Sequence, residues 1–93
     1  MRHNILIVDD EQLIRQGLRA RIEYLGIDVD EMFEADNGLM ALGIQDAHPI
    51  DLGITDICMP DMDGLELIQQ MQKKNNQIQF IVLSGYAEFS YAE

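Results

Sequence analysis

The chain has 93 residues, 47% of them hydrophobic and 25% charged, and six Lys and Arg against seventeen Asp and Glu leave a formal net charge of −11. A chain this size buries roughly 60 to 70% of its unfolded surface, enough for one core and too little for two domains. The acidity excludes nucleic-acid binding by this segment alone, because phosphate contacts need clustered Lys and Arg; no apolar run approaches the roughly 20 residues of a membrane span, and the apolar stretch after Met1-Arg2-His3 is too short for a secretory signal, so no membrane partner and a cytoplasmic location are expected.

Asn4-Ile5-Leu6-Ile7-Val8 is a continuous apolar run rich in branched residues, which predicts a strand buried on both faces and hence the middle of a parallel sheet. It stops at Asp9-Asp10-Glu11. Ile14, Leu18, Ile22 and Leu25 then recur at spacings of four, four and three, the period of an amphipathic helix, with Arg15, Arg19 and Glu23 on the other side and Gly26 as its stop. The mixed polarity of Glu31 to Ala35 predicts a strand nearer a sheet edge, and Asp36-Asn37-Gly38 is turn chemistry. A second helix is expected from Leu39 to Ala47, weakened by Gly43 and closed by His48-Pro49. Ile50 to Thr55 reads as a third strand and ends at Asp56, much as the first ends at Asp9. Beyond the loop Ile57-Cys58-Met59-Pro60-Asp61-Met62-Asp63-Gly64, Leu65, Ile68 and Met71 mark a third helix running to Lys73-Lys74, where cations suit a helix C-terminus. Phe80 to Leu83 is a fourth apolar strand, Ser84-Gly85-Tyr86 turns the chain, and Ala87 to Glu93 begins a further helix. Strands alternating with helices predict a single α/β unit whose right-handed crossovers build a parallel sheet covered on both faces.

In open α/β sheets ligands bind outside the carboxyl ends of the strands, where the strand order reverses. Asp9 and Asp10 follow the first strand and Asp56 follows the third, so neighbouring strands would bring all three carboxylates together. Such a cluster repels itself unless it binds a cation or holds a proton. A hard divalent ion such as Mg²⁺ prefers all-oxygen ligation of this kind, and a carboxylate beside it can act as a nucleophile toward phosphorus. A hydroxyl at the end of the fourth strand, Ser84, would be placed to meet a phosphoryl oxygen. Taken alone, Asp9-Asp10 has a plainer reading, a turn or an N-cap for the following helix, with either Asp10 or Glu11 as the cap. Acidic ends on two strands, a strand-end hydroxyl and a Met-Pro-x-x-Asp-Gly loop in one chain favour the cation.

These motifs resemble the receiver domain of two-component response regulators. Leu6-Ile7-Val8-Asp9-Asp10-Glu11 is one of them. The run from Asp51-Leu52 through Ile54-Thr55-Asp56-Ile57 to Met59-Pro60 and Met62-Asp63-Gly64-Leu65-Glu66-Leu67 is the second, and Val82-Leu83-Ser84-Gly85-Tyr86 the third. The resemblance implies a flavodoxin-like doubly wound fold with strand order 2-1-3-4, and it covers about the first four of the family's five β-α units. It also implies that Asp56 is the phosphoryl acceptor, charged by a sensor histidine kinase, that Asp9, Asp10, Asp56 and the Cys58 main-chain carbonyl hold Mg²⁺, and that Ser84 is the switch hydroxyl. Such a domain is a switch, catalysing only its own phosphoryl transfer and dephosphorylation. The segment Leu83 to Ala92 is similar to regulators that join a receiver to an AraC-type helix-turn-helix output domain, which would make the parent a transcription regulator that binds DNA through a segment outside this chain.

The chain departs from the family at several positions. Gly53 stands where a branched aliphatic residue is usual, which should remove packing from the third strand. Cys58 replaces a frequent basic residue; as the only cysteine it excludes an internal disulfide and a thiolate-rich metal centre. No counterpart is present for the family's lysine and aromatic residue on a fifth strand, so the chain reads as a C-terminally truncated receiver in which metal binding should survive better than phosphorylation. Phe80 to Leu83 would then be an apolar edge strand that favours a receiver homodimer, swapping or aggregation. Other functions are weaker. An aspartyl-phosphate phosphatase or hydrolase of the haloacid-dehalogenase-like pattern would place an Asp where Cys58 stands. A flavodoxin-like flavin binder would have a hydroxyl- and Gly-rich cradle where this chain has Asp9-Asp10-Glu11. A receiver fragment serving only as a dimerisation module is a further reading. His3 and His48 lack ligand-like spacing, Tyr86, Phe89 and Tyr91 are expected to pack around the fourth helix, and Met59 and Met62 to fill the loop or pocket.

Overall fold

The computed structural model of the chain describes residues 3–83. Ser84, the turn after it, the expected fourth helix and its aromatic residues lie outside the described residues. The order is β1 (His3–Val8), α1 (Gln12–Leu25), β2 (Val29–Ala35), α2 (Gly38–Ala47), β3 (Leu52–Asp56), α3 (Gly64–Lys74) and β4 (Gln79–Leu83). The four strands form one sheet in the order β2-β1-β3-β4, with every neighbouring pair parallel. This is the doubly wound 2-1-3-4 arrangement that the family resemblance implied.

β1 is central because its side chains are apolar on both sides, and Ile5, Leu6, Ile7 and Val8 are each no more than 2% exposed. Their alternation splits the core in two. Ile5 and Ile7 join Ile22 of α1 and Ile54 on one face, while Leu6 and Val8 join Ala41 of α2, Leu67 and Met71 of α3, Ile50 and Ile78 on the other. The helix ends follow local chemistry. Gly26 closes α1 in the left-handed region at φ 71°, Asn37 caps α2 by accepting from the Met40 N–H at 2.8 Å, and Asp63 caps α3 by accepting from the Glu66 N–H at 2.8 Å. Lys73 and Lys74 lie in the last turn of α3, as expected.

Four sequence expectations need correction. β3 begins at Leu52 rather than Ile50. Asp51 is held ahead of the strand, its N–H donating to the Asn4 carbonyl at 3.0 Å and its carboxylate accepting from the Asn4 N–H at 2.8 Å, while Ile50 turns into the core. On α3 the buried stripe is Gly64, Leu67 and Met71, and Leu65 is 54% exposed. On α1 only Ile22 of the expected apolar stripe is fully buried, Leu18 is half-buried, and Ile14 and Leu25 are 41% and 62% exposed. The inward stripe is instead Arg15, Leu18, Arg19 and Ile22, which keeps Leu18 and Ile22 but replaces Ile14 and Leu25 by the two arginines, both turned toward the edge strand β2. Finally, Gly53 does not leave a gap: a β-carbon there would lie 2.7 Å from Cδ1 of Phe80 on β4, so the Phe80 ring fills the place of the missing side chain.

Candidate metal centre

The register of β1 against β3 builds the site. Val8 pairs with Thr55, so the residues that follow, Asp9 and Asp56, lie side by side at the carboxyl edge of the sheet. Asp9, Asp10 and Asp56 each offer a carboxylate oxygen, and these atoms all lie within 4.8 Å of one another. The three carboxylates picked out in the sequence therefore meet.

Their surroundings differ. Asp9 is 2% exposed, Asp56 is half-buried and Asp10 is exposed. The Asp9 N–H donates to the Ala35 carbonyl at 3.1 Å, and its Oδ1 accepts from the Glu11 N–H at 2.9 Å. The expected cap by Asp10 or Glu11 is not formed, since Glu11 occupies the N-cap position of α1 with no side-chain hydrogen bond, and the turn is closed by Asp9 instead. Burial pushes the Asp9 carboxyl above its ordinary value; the Glu11 N–H draws it back, while the Asp56 and Asp10 charges and the contact with the Asp10 carboxyl push it further up. A buried carboxylate facing two like charges is stabilised by a cation. An all-oxygen set of three acids, of which one is buried and fixed, fits a hard divalent ion of the Mg²⁺ type.

The loop after Asp56 is pinned at both ends. Gly64 N–H donates to the Ile57 carbonyl at 2.8 Å, and the buried Thr55 hydroxyl donates to the Asp56 carbonyl at 3.0 Å. Between them Asp61 adopts φ 72° and Met62 N–H donates to the Pro60 carbonyl at 2.8 Å. Met59 and Met62 are half-buried against the core, filling the space under the loop as expected, and Cys58 is exposed. His3 lies at the amino end of β1, opposite Asp9, and His48 ends α2 and stacks on Phe33 with ring centroids 4.5 Å apart.

Reasoning from the sequence missed Arg15 and Arg19. Arg15 donates from Nη1 to the Asp9 main-chain carbonyl at 2.7 Å and from Nε to Glu34 Oε1 at 3.1 Å. Arg19 lies 3.4 Å from Glu34 Oε2 and donates to the Met32 carbonyl at 2.8 Å. Two arginines four residues apart, with an acid near the carboxyl end of a strand, were the available signal. Among the described residues, no helix is long and apolar enough to cross a membrane.

A family model described as the response regulator receiver domain matches residues 5–93. The uncharacterized transcriptional regulatory protein YesN of Bacillus subtilis is 40% identical over 91 residues, which cover 98% of this chain and 25% of that protein. Among solved structures, a two component transcriptional regulator AraC from Clostridium phytofermentans is similar with TM-score 0.87 and 40% identity over 96% of this chain and 72% of that one. The REC domain of AraT, a response regulator from Geobacillus stearothermophilus, is similar with TM-score 0.86 and 39% identity over 99% and 71%. The chain thus spans about a quarter of the length of YesN.

Proposed function

The chain belongs to the response regulator receiver domain family, and from that membership we propose that it is a phosphorylation switch in which Asp56 accepts a phosphoryl group from a sensor histidine kinase. The observation that carries this reading is the meeting of the Asp9, Asp10 and Asp56 carboxylate oxygens at the ends of β1 and β3. Mg²⁺, held by Asp9, Asp10, Asp56 and the Cys58 main-chain carbonyl, would neutralise charge on the transferring phosphoryl oxygens.

The protein's own groups do the rest. An Asp56 carboxylate oxygen attacks phosphorus, the bond to the donor's leaving group breaks, and an acyl phosphate forms on Asp56. The Thr55 hydroxyl and Gly64 fix the Asp56 main chain, so the carboxylate needs little reorganisation to attack. Ser84 is proposed as the hydroxyl that meets the new phosphoryl oxygens, reorganising the loop after β4 and so changing a binding surface. The output is proposed to be transcription regulation through a DNA-binding segment outside these 93 residues, in keeping with the names of the YesN and AraC relatives. A second copy of the receiver is a proposed partner; among the described residues β4 is an outer strand of the sheet, whose unpaired backbone groups could meet another chain.

Incubation with Mg²⁺ and acetyl phosphate tests the reading. Intact-mass analysis should show one added phosphoryl group, lost in Asp56→Ala. Undiminished labelling of that variant would place the acceptor elsewhere.

A further inference from the structure

We propose that Arg15 is a positioning residue of the acidic centre: by holding the Asp9 carbonyl it sets the direction of the Asp9-Asp10 peptide and thereby the affinity of the centre for a divalent cation. The proposal rests on the reading of Asp9, Asp10 and Asp56 as a cation site. It concerns a side chain that contributes no ligand atom.

The Arg15 side chain is only 14% exposed, and its guanidinium is divided between two acceptors on different elements. Nη1 donates to the Asp9 carbonyl at 2.7 Å and Nε to Glu34 Oε1 on β2 at 3.1 Å. Glu34 is itself held from the other side by Arg19, whose Nη2 donates to the Met32 carbonyl at 2.8 Å. The direction of Arg15 is therefore set by the edge strand. The Asp9 carbonyl is part of the rigid peptide plane that joins Asp9 to Asp10, so pinning its oxygen orients the chain as it leaves β1. The preceding peptide is pinned too, because the Asp9 N–H donates to the Ala35 carbonyl at 3.1 Å. With both flanking peptides and Oδ1 of Asp9 engaged, the buried carboxylate and the main chain that carries Asp10 are ordered before any cation arrives, and groups that orient ligands from behind typically change metal affinity about tenfold or more.

Position and charge make opposite predictions. A guanidinium acting only as a nearby positive charge repels a divalent cation, so its removal would tighten binding. A guanidinium that orders the ligands weakens binding when removed. Arg19 separates this from a general role in docking α1 on β2, because it shares Glu34 but makes no contact with Asp9.

The test is a titration of the 93-residue protein with Mn²⁺ alone, free ion being read by electron paramagnetic resonance, for the wild type, Arg15→Met, Arg15→Lys and Arg19→Met, with circular dichroism confirming the fold. Arg15→Met should weaken Mn²⁺ binding about tenfold, and Arg19→Met by no more than about twofold. Arg15→Lys keeps the charge but cannot span both acceptors, so it should weaken binding about threefold or more; it carries the test if Arg15→Met does not fold. Unchanged or tighter binding in Arg15→Met, wild-type affinity in Arg15→Lys, or equal weakening by Arg19→Met would each overturn the positioning role while leaving the cation site standing. Failure of the wild type to bind Mn²⁺ would overturn the site itself, and this role with it.

Discussion

Gly64 stands directly against the main-chain carbonyl of Asp56: a β-carbon on Gly64 would overlap that oxygen and lie 3.0 Å from the Asp56 carbonyl carbon and from the Ile57 Cα. The first turn of α3 is thus seated on the backbone of the proposed acceptor. Backbone cannot swing aside as a side-chain tip does, so Gly64→Ala should destabilise by about 1–3 kcal/mol and displace Asp56. Urea unfolding reads the first effect, and labelling by acetyl phosphate at a temperature where the variant is folded reads the second. Gly43→Ala is the control: a β-carbon there meets nothing within 4 Å, and in the middle of α2 the change should stabilise by about 0.5–1 kcal/mol.

Gly53 and Phe80 should be coupled in the same sense. Gly53→Val drives a branched side chain into the ring of Phe80 and should be destabilising alone, yet much less so when combined with Phe80→Ala, which vacates the space. A double-mutant cycle by chemical denaturation should give a coupling of about 1–2 kcal/mol. Strict additivity would mean that the ring does not occupy the glycine's place.

Asp9 predicts a dependence on pH and on metal. Its carboxyl is held above its ordinary value of 3.8, so between the unfolded and folded values the folded state keeps a proton that the unfolded state has lost. This contribution to stability is therefore fully present below 3.8 and is lost as pH rises through the folded value. At neutral pH, without metal, Asp9→Asn should raise Tm, each kcal/mol being worth about 4–8 °C in a domain of this size, and the gain should disappear in acid. The same variant should no longer gain Tm from Mg²⁺. A metal-free variant less stable than wild type at pH 7 would contradict the assignment.

The rotation of α3 is tested by two leucines two positions apart. Leu67 is fully buried and Leu65 is 54% exposed. Leu67→Ala should cost about 2–5 kcal/mol and Leu65→Ala no more than about 0.5 kcal/mol, as urea midpoints at constant m would show. Equal losses would restore the stripe of Leu65, Ile68 and Met71.

The acidic trio was readable because each member is marked by an event local to the chain: the Ile5 to Val8 run stops at Asp9-Asp10, and the β3 run stops at Asp56. The loop from Met59 to Gly64 was readable for the same reason, as turn and cap chemistry act over a few residues. The strand order was not derivable from such signals and came from resemblance. Whether the acids after β1 make a turn or a cap was not legible, because a carboxylate after a strand serves equally well as either, and only the hydrogen bond from the Glu11 N–H to Asp9 distinguishes them.

Periodicity and punctuation along the chain decided that this protein alternates strands and helices and carries its acids at strand ends, since those patterns need only neighbouring residues. Tertiary contact alone decided how α1 and α3 are rotated. Both helices have apolar residues on more than one side, so the inward face is chosen by groups distant in sequence: Glu34 draws Arg15 and Arg19 toward β2, and the Asp56 carbonyl admits only Gly64. The same long-range packing places the Phe80 ring over Gly53 and the Arg15 guanidinium behind Asp9.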